Sequence, residues 1–165
     1  MSLGTTRSAF RQKLGKTVLS AALLFLTGAI VVALMHTKTS PANPDDAQQV
    51  ARGKAVYERH CASCHGARLD GQLNWQKKLP SGRMPAPPHD ASGHTWHHPD
   101  AVLFGITKHG LAPGKYAPPG YQSDMPAYAT TLGDDEIWAV LAYIKSAWPR
   151  EIRKAQQEIN ARKKP

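Results

Sequence analysis

The chain has 165 residues, of which 41% are hydrophobic and 7% aromatic, and its formal net charge is +9. This length allows one small domain with extensions. The charge is concentrated at the two ends: residues 1–36 carry four cations and no acid, and residues 150–165 carry six cations and two acids. The remaining part is nearly neutral and has no basic–aromatic interleaving, so the composition argues against a nucleic-acid-binding protein.

The amino-terminal segment has the pattern of a membrane anchor. Four cations precede an uncharged apolar run of 18 residues, from Val18 to Met35. As a helix this run would extend about 27 Å, which is enough to cross a bilayer. The cations favour a cytoplasmic amino terminus, which places the rest of the chain in the periplasm of a Gram-negative cell. Residues 1–36 are therefore predicted to be an uncleaved, single-pass anchor in the inner membrane. The alternative is a signal peptide cleaved near Asn43.

The next segment predicts a linker followed by a helix. Residues 37–44 contain prolines and small polar residues, and Asp45 or Asp46 is placed to cap a helix with apolar positions at the helical period. Gly53 lies inside this helix, where glycine costs about 1 kcal/mol relative to alanine. A close crossing by a second helix would offset that cost.

Cys61, Cys64 and His65 form a Cys-x-x-Cys-His motif that contains the only two cysteines of the chain. Two thiols three residues apart lie on one side of a helical turn, where they can form thioethers with the two vinyl groups of one porphyrin. The imidazole that follows is placed to bind the iron from the proximal face. Three alternatives fit less well. A thioredoxin-type pair would need a βαβ unit, and a structural zinc site would need a second pair of ligands. A simple disulfide would leave His65 without a role. The motif predicts one covalent haem c.

Residues 66–98 show neither helical nor strand periodicity and are rich in proline and glycine. An irregular loop of this length is unusual in a compact domain unless it wraps around a bound group, and a haem is such a group. Four histidines lie close together within it, at His89, His94, His97 and His98. They could bind copper or zinc, or one could bind the iron. Because no carboxylate–histidine spacing fixes a metal geometry, the simpler roles are hydrogen bonds to haem propionates, helix capping or contact with solvent.

Two further helices are predicted. One covers Pro99–His109 and ends at Gly110. The other begins at Asp134, where three acids occupy the first turn, and its apolar stripe continues to Trp148. The basic segment 150–165 is polar on all sides and is expected to be a frayed, solvated extension.

Residues 45–149 resemble a class I cytochrome c. The resemblance rests on four motifs, which are Gly53-Lys-Ala-Val-Tyr57 leading into Cys61–His65, Leu103-x-x-Ile106-x-x-x-Gly110, Met125-Pro-Ala-Tyr128, and Leu132-x-Asp-Asp-Glu-Ile137 followed by Tyr143. It implies an all-α fold of three to four helices around one covalent haem. It also implies that Gly53 and Tyr57 cross against Tyr143, and that the carbonyl of Pro87 or Pro88 orients the proximal histidine. The long insert 66–98 departs from the minimal family pattern.

The distal iron ligand is a choice between two methionines. Met84 and Met125 are both followed by Pro-Ala, so the local motif does not decide between them. In the family the ligand methionine lies on the loop before the last helix. Met125 is nine residues before Asp134, whereas Met84 is 19 residues after His65. The resemblance therefore implies His65 and Met125 as the two iron ligands.

Two filled axial positions leave no open site for a substrate, and no acid–base pair or nucleophile accompanies the motif. The prediction is a membrane-tethered periplasmic electron carrier that is not an enzyme. Its expected partners are electron-donor and electron-acceptor proteins, such as a quinol-oxidising complex or dehydrogenase and a terminal oxidase or reductase. The alternatives are a haem-bearing electron-entry subunit of a larger membrane oxidoreductase, and a haem or copper sensor or metal-handling protein that uses the histidine-rich insert.

Overall fold

The structure is a computed structural model that describes residues 41–111 and 115–162. These residues form five α-helices and one 3₁₀ turn, with no β-strand among them. In chain order the elements are α1 (Ala47–His60), α2 (Ala62–His65), the 3₁₀ turn (Thr95–His97), α3 (Asp100–His109), α4 (Asp134–Ser146) and α5 (Arg150–Arg162). The all-helical expectation is confirmed here. The anchor predicted over 1–36 lies outside the described residues, and no described helix is long and apolar enough to cross a membrane.

Helix α1 begins where the sequence placed its cap. The side chain of Asp46 accepts hydrogen bonds from the amides of Gln48 and Gln49, both at 3.0 Å. These bonds satisfy two of the amides that a helix start leaves without an intrahelical partner. At the other end the amide of Cys61 donates to the carbonyl of Tyr57 at 2.8 Å. The helix therefore runs directly into the cysteine motif.

Helices α1 and α4 cross at Gly53, as the resemblance implied. A Cβ atom at this position would overlap the backbone carbonyl of Ala139. One turn further on, the rings of Tyr57 and Tyr143 are in contact, with centroids 5.3 Å apart. The crossing lies within a core of buried apolar side chains, among them Val56, Ile137, Val140, Leu141 and Ile144. The absence of a side chain at Gly53 is thus a packing requirement of this core.

Helix α5 corrects the expectation of a solvated tail. Gln156 is fully buried, and its amide donates to a carboxylate oxygen of Asp100 at 2.7 Å. The backbone amide of Asp100, at the start of α3, donates to the side-chain oxygen of Asn160 at 2.7 Å. Near the start of α5, Arg153 pairs with Asp45 at 2.8 Å. The helix docks through these polar contacts together with Ile152, which packs against the hydrophobic core, so the expectation of a helix that is polar on all sides was wrong.

The segment 66–98 is held by backbone hydrogen bonds rather than by regular structure. The amide of Gly71 donates to the carbonyl of His65 at 2.8 Å, and the amide of His89 donates to the carbonyl of Leu69 at 2.7 Å. Gly71 has a φ of +66°, and a Cβ there would overlap the backbone of Pro88. These contacts bring Pro87 and its neighbours back to the cysteine motif, so the loop folds back over His65, the residue that precedes it.

Candidate haem-binding site

The junction of α1 and α2 places the two cysteines and the histidine on one turn. The amides of Cys64 and His65 both donate to the carbonyl of Cys61, at 3.1 and 2.9 Å. Both cysteines are free thiols, Cys64 exposed and Cys61 partly buried. Burial, with a smaller contribution from Cys64, raises the pKa of Cys61 to about 11. Two unpaired thiols on one helical turn fit attachment of a single porphyrin by two thioethers.

The imidazole of His65 is buried and oriented by a backbone carbonyl. Its Nδ1 atom lies 2.8 Å from the carbonyl oxygen of Pro87. Since a carbonyl only accepts, Nδ1 carries the proton, and the lone pair of Nε2 remains available to a metal. Burial lowers the pKa of His65, and the bond to Pro87 opposes that shift. The ring is therefore neutral and of fixed tautomer, and the orienting residue is Pro87 rather than Pro88.

The phenol of Tyr57 is hydrogen-bonded to the backbone at the end of the cysteine motif. Its hydroxyl donates to the carbonyl of Gly66 at 2.9 Å and lies 3.2 Å from that of His65. Burial is the main reason that the pKa of Tyr57 is raised above its usual value, so the phenol keeps its proton and remains a donor. A residue of α1 thus fixes the backbone of His65 and Gly66.

The two methionine segments lie side by side. The amide of Met84 donates to the carbonyl of Gln122 at 3.3 Å, and Arg83 pairs with Asp124 at 2.5 Å. Both methionine side chains are partly exposed. Met125 follows Asp124 directly, and its own amide is bonded to the hydroxyl of Ser123 at 3.1 Å. The fold therefore brings the two candidate ligands into one neighbourhood, although 41 residues separate them in sequence.

Tyr128 anchors the segment after Met125. Its hydroxyl donates to the carbonyl of His60 at 2.6 Å, next to Cys61, and its amide donates to the carbonyl of Thr107 at 3.1 Å. Burial raises the pKa of Tyr128, with smaller contributions from the two cysteines, so this phenol also remains a donor. The Met125 segment is consequently tied both to the motif and to the end of α3.

Comparison with known proteins adds one finding. The family model for cytochrome c matches residues 50–148. This chain belongs to the cytochrome c family. The family binds haem c covalently, and Cys61 and Cys64 are the thiols of its attachment motif here. A cytochrome c domain is a haem-based electron carrier, generally without catalytic activity. No curated protein and no solved structure matches the chain.

A buried polar atom of this cytochrome c fits the same cofactor. The indole Nε1–H of Trp96 is buried and has no hydrogen-bond partner among residues 41–111 and 115–162. A buried donor without an acceptor is costly, and an anionic propionate of a bound haem would satisfy it. The sequence reasoning assigned no role to Trp96. The available signal was a tryptophan within the loop expected to enclose the haem.

Each of three histidines of the insert stacks on a different ring, and His94 also meets His98 edge-on with centroids 5.5 Å apart. His89 stacks on His65, with ring centroids 3.9 Å apart, whereas His94 stacks on Trp75 at 5.3 Å and His97 on Trp96 at 3.6 Å. No group of three or more histidine, cysteine or acidic side chains in the described part of the chain is arranged to hold a metal ion. The described geometry therefore gives no support to a copper or zinc site at these histidines.

Proposed function

We propose that this cytochrome c is a single-electron carrier tethered to the inner membrane, with its haem domain in the periplasm. The observation that supports a carrier is the neutral imidazole of His65, which the carbonyl of Pro87 holds in one tautomer beside the two cysteines. The tether is supported by the uncharged run from Val18 to Met35 and by the cations before it.

A haem c bound here would supply one-electron chemistry between ferric and ferrous iron. The contribution of the chain is to keep its own groups fixed through that change. The carbonyl of Pro87 holds Nδ1 of His65, and the phenol of Tyr57 holds the backbone after it. Because both partners belong to the folded frame, the ligand does not need to rearrange when the charge on the iron changes.

We assign the distal position to Met125. Its segment is tied at Tyr128 to the carbonyl of His60, directly before Cys61. Met84 is the rival, since the bonds to Gln122 and Asp124 place it beside the same segment. The Met84 segment, however, belongs to the insert that also provides the proximal carbonyl of Pro87. A loop that already serves the proximal side is the poorer source of a ligand for the opposite side.

The matched variants Met125→Ala and Met84→Ala test this assignment in the full-length holoprotein. In Met125→Ala, we expect loss of the weak near-infrared sulfur-to-iron charge-transfer band, binding of carbon monoxide and a lower reduction potential, because a thioether favours ferrous iron. In Met84→Ala, all three properties should match those of the unmodified protein. The reverse pattern would assign the ligand to Met84. No change in either variant would exclude both methionines and leave a histidine of the insert as the ligand.

The tether is tested by fractionation of the native protein. We expect it in the membrane fraction with residues 1–36 intact, as determined by mass spectrometry. A soluble mature form beginning near Asn43 would show that the apolar run is a cleaved signal. Stable co-purification with other subunits after detergent extraction would favour the electron-entry subunit. Purification of the protein without other subunits, followed by its reduction by membranes that are supplied with quinol, would support the electron-carrier proposal.

A further inference from the structure

His89 lies directly against the proximal histidine. The rings of His65 and His89 stack with centroids 3.9 Å apart and planes inclined by 19°. Among the described residues, no other aromatic or histidine ring is in contact with that of His65. Pro87 bonds only one edge of the His65 imidazole, which fixes the tautomer. The stacked ring covers a face of the imidazole, and so restricts its rotation about the bond to Cβ.

The position of His89 is itself fixed by contacts from three parts of the chain. Its amide donates to the carbonyl of Leu69 at 2.7 Å, and its carbonyl accepts from the indole of Trp148 at 2.8 Å. The ring of Tyr57 meets that of His89 edge-on, with centroids 6.0 Å apart. The Nδ1 atom of His89 is buried without a partner among the described residues. A leucine at this position would fill the space without burying a polar atom, so an imidazole here needs an explanation beyond packing.

We propose that His89 is a positioning residue for the haem, which acts through His65 by setting the rotation of the proximal imidazole and by stabilising the ferric state. The inference rests on the proposed ligation of iron by His65. In the ferric state part of the positive charge of the iron extends onto the bound imidazole. The face of an aromatic ring attracts such a charge. An aliphatic side chain at the same place offers no such face, so its presence would favour the ferrous state.

Two variants of the full-length holoprotein distinguish the effect of the aromatic face of His89 from the effect of its side-chain volume. His89→Leu removes the aromatic face, whereas His89→Phe keeps it and removes the ring nitrogens. We expect His89→Leu to raise the midpoint potential and to change the pattern of haem-methyl shifts in the ferric NMR spectrum, which reports the orientation of the axial imidazole. His89→Phe should remain close to the unmodified protein in both measurements. Equal shifts in the two variants, or none in either, would overturn the proposal.

The core variant Val140→Ala is the control for a merely structural effect. It truncates a buried side chain of α4 without removing a ring from His65. It should lower the free energy of unfolding and leave the potential and the methyl shifts unchanged. If it moves them as far as His89→Leu does, His89 acts through general stability and the proposal is wrong.

A measurement on the unmodified protein decides the matter even if neither His89 variant matures with haem. In the diamagnetic ferrous state, rings 3.9 Å apart must give nuclear Overhauser contacts between the ring protons of His65 and His89. Absence of these contacts would overturn the stack. Loss of the stack in a protein that keeps a low-spin, histidine-ligated haem leaves the carrier proposal standing. An unmodified protein without histidine-ligated haem would overturn both.

Discussion

The buried ion pair between Asp100 and Lys145 offers the strongest stability test of how α5 is held. The Lys145 ammonium lies 2.9 and 2.8 Å from the two carboxylate oxygens of Asp100, and the two side chains are only 4% and 9% exposed. One of those oxygens also accepts from Gln156 at 2.7 Å. A residue of α3, one of α4 and one of α5 therefore meet at a single carboxylate.

The two partners are not expected to be equally costly to remove. Asp100→Asn removes the carboxylate charge that both hydrogen bonds from the buried Lys145 ammonium meet, which should cost about 3–5 kcal/mol of unfolding free energy. Lys145→Met leaves the carboxylate with Gln156 and in the first turn of α3, where the helix dipole favours an anion. We expect about 2 kcal/mol for this variant, since a hydrogen bond to a charged group is worth roughly 1.5–3 kcal/mol. The double variant should cost less than Asp100→Asn alone.

Urea titration of the ferric holoprotein, followed by far-UV circular dichroism, measures these differences. All variants should keep the haem spectrum of the unmodified protein, because the network touches neither the cysteine motif nor the methionine segments. A cost below about 1 kcal/mol for Asp100→Asn would refute the reasoning, since removing one partner of a buried ion pair is expected to cost several times that amount. Additive costs in the double variant would also refute it, because interacting partners must show coupling.

Three other contacts give expected outcomes of their own. Gly53→Ala should lower the free energy of unfolding by about 2 kcal/mol in urea, because its Cβ would overlap Ala139; an unchanged midpoint would contradict the crossing. Tyr57→Phe should cost about 1 kcal/mol at pH 7. Because burial raises the pKa of Tyr57, the protonated phenol stabilises the fold fully below pH 10 and less above it. The free energy of unfolding of this variant should therefore fall less steeply than that of the unmodified protein in titrations from pH 7 to 11. Ending the chain after Pro149 should lower the melting temperature through loss of Gln156, and an unchanged value would contradict the docking of α5.

The helices could be predicted because their signals are local. The cap at Asp46, the helix that follows Pro99 and the end at Gly110 all agree with the sequence expectations. Each depends on a few neighbouring side chains or on a repeat of 3.6 residues, so the chain near each position contains the information. Gly53 is a partial case: its cost in a helix indicated a crossing, and the resemblance supplied the partner helix.

Helix α5 could not be placed on the domain by the same reasoning. Its sequence has a short, sparse apolar stripe of Ile152, Ala155 and Ile159, and its place on the domain is set by Gln156 and Asn160 reaching Asp100, which is 56 and 60 residues away in sequence. A buried polar side chain is stabilised only when its partner is present. Sequence patterns of hydrophobicity cannot reveal such a partner: the spacing of Ile152 and Ile159 indicates an amphipathic helix, but not that Asp100 is the residue it meets.

The insert 66–98 shows the same limit at the candidate site. Its spacing suggested one histidine cluster and one rival methionine, yet the fold uses the segment in two places. Pro87 and His89 contact His65, while Arg83 pairs with Asp124 beside Met125. A single loop thus touches the proximal histidine and the segment proposed to carry the distal ligand. Changes within it should therefore alter the surroundings of both axial positions together. For this reason the variants at Met84 and His89 must be compared by potential and ring orientation, and not by haem content alone.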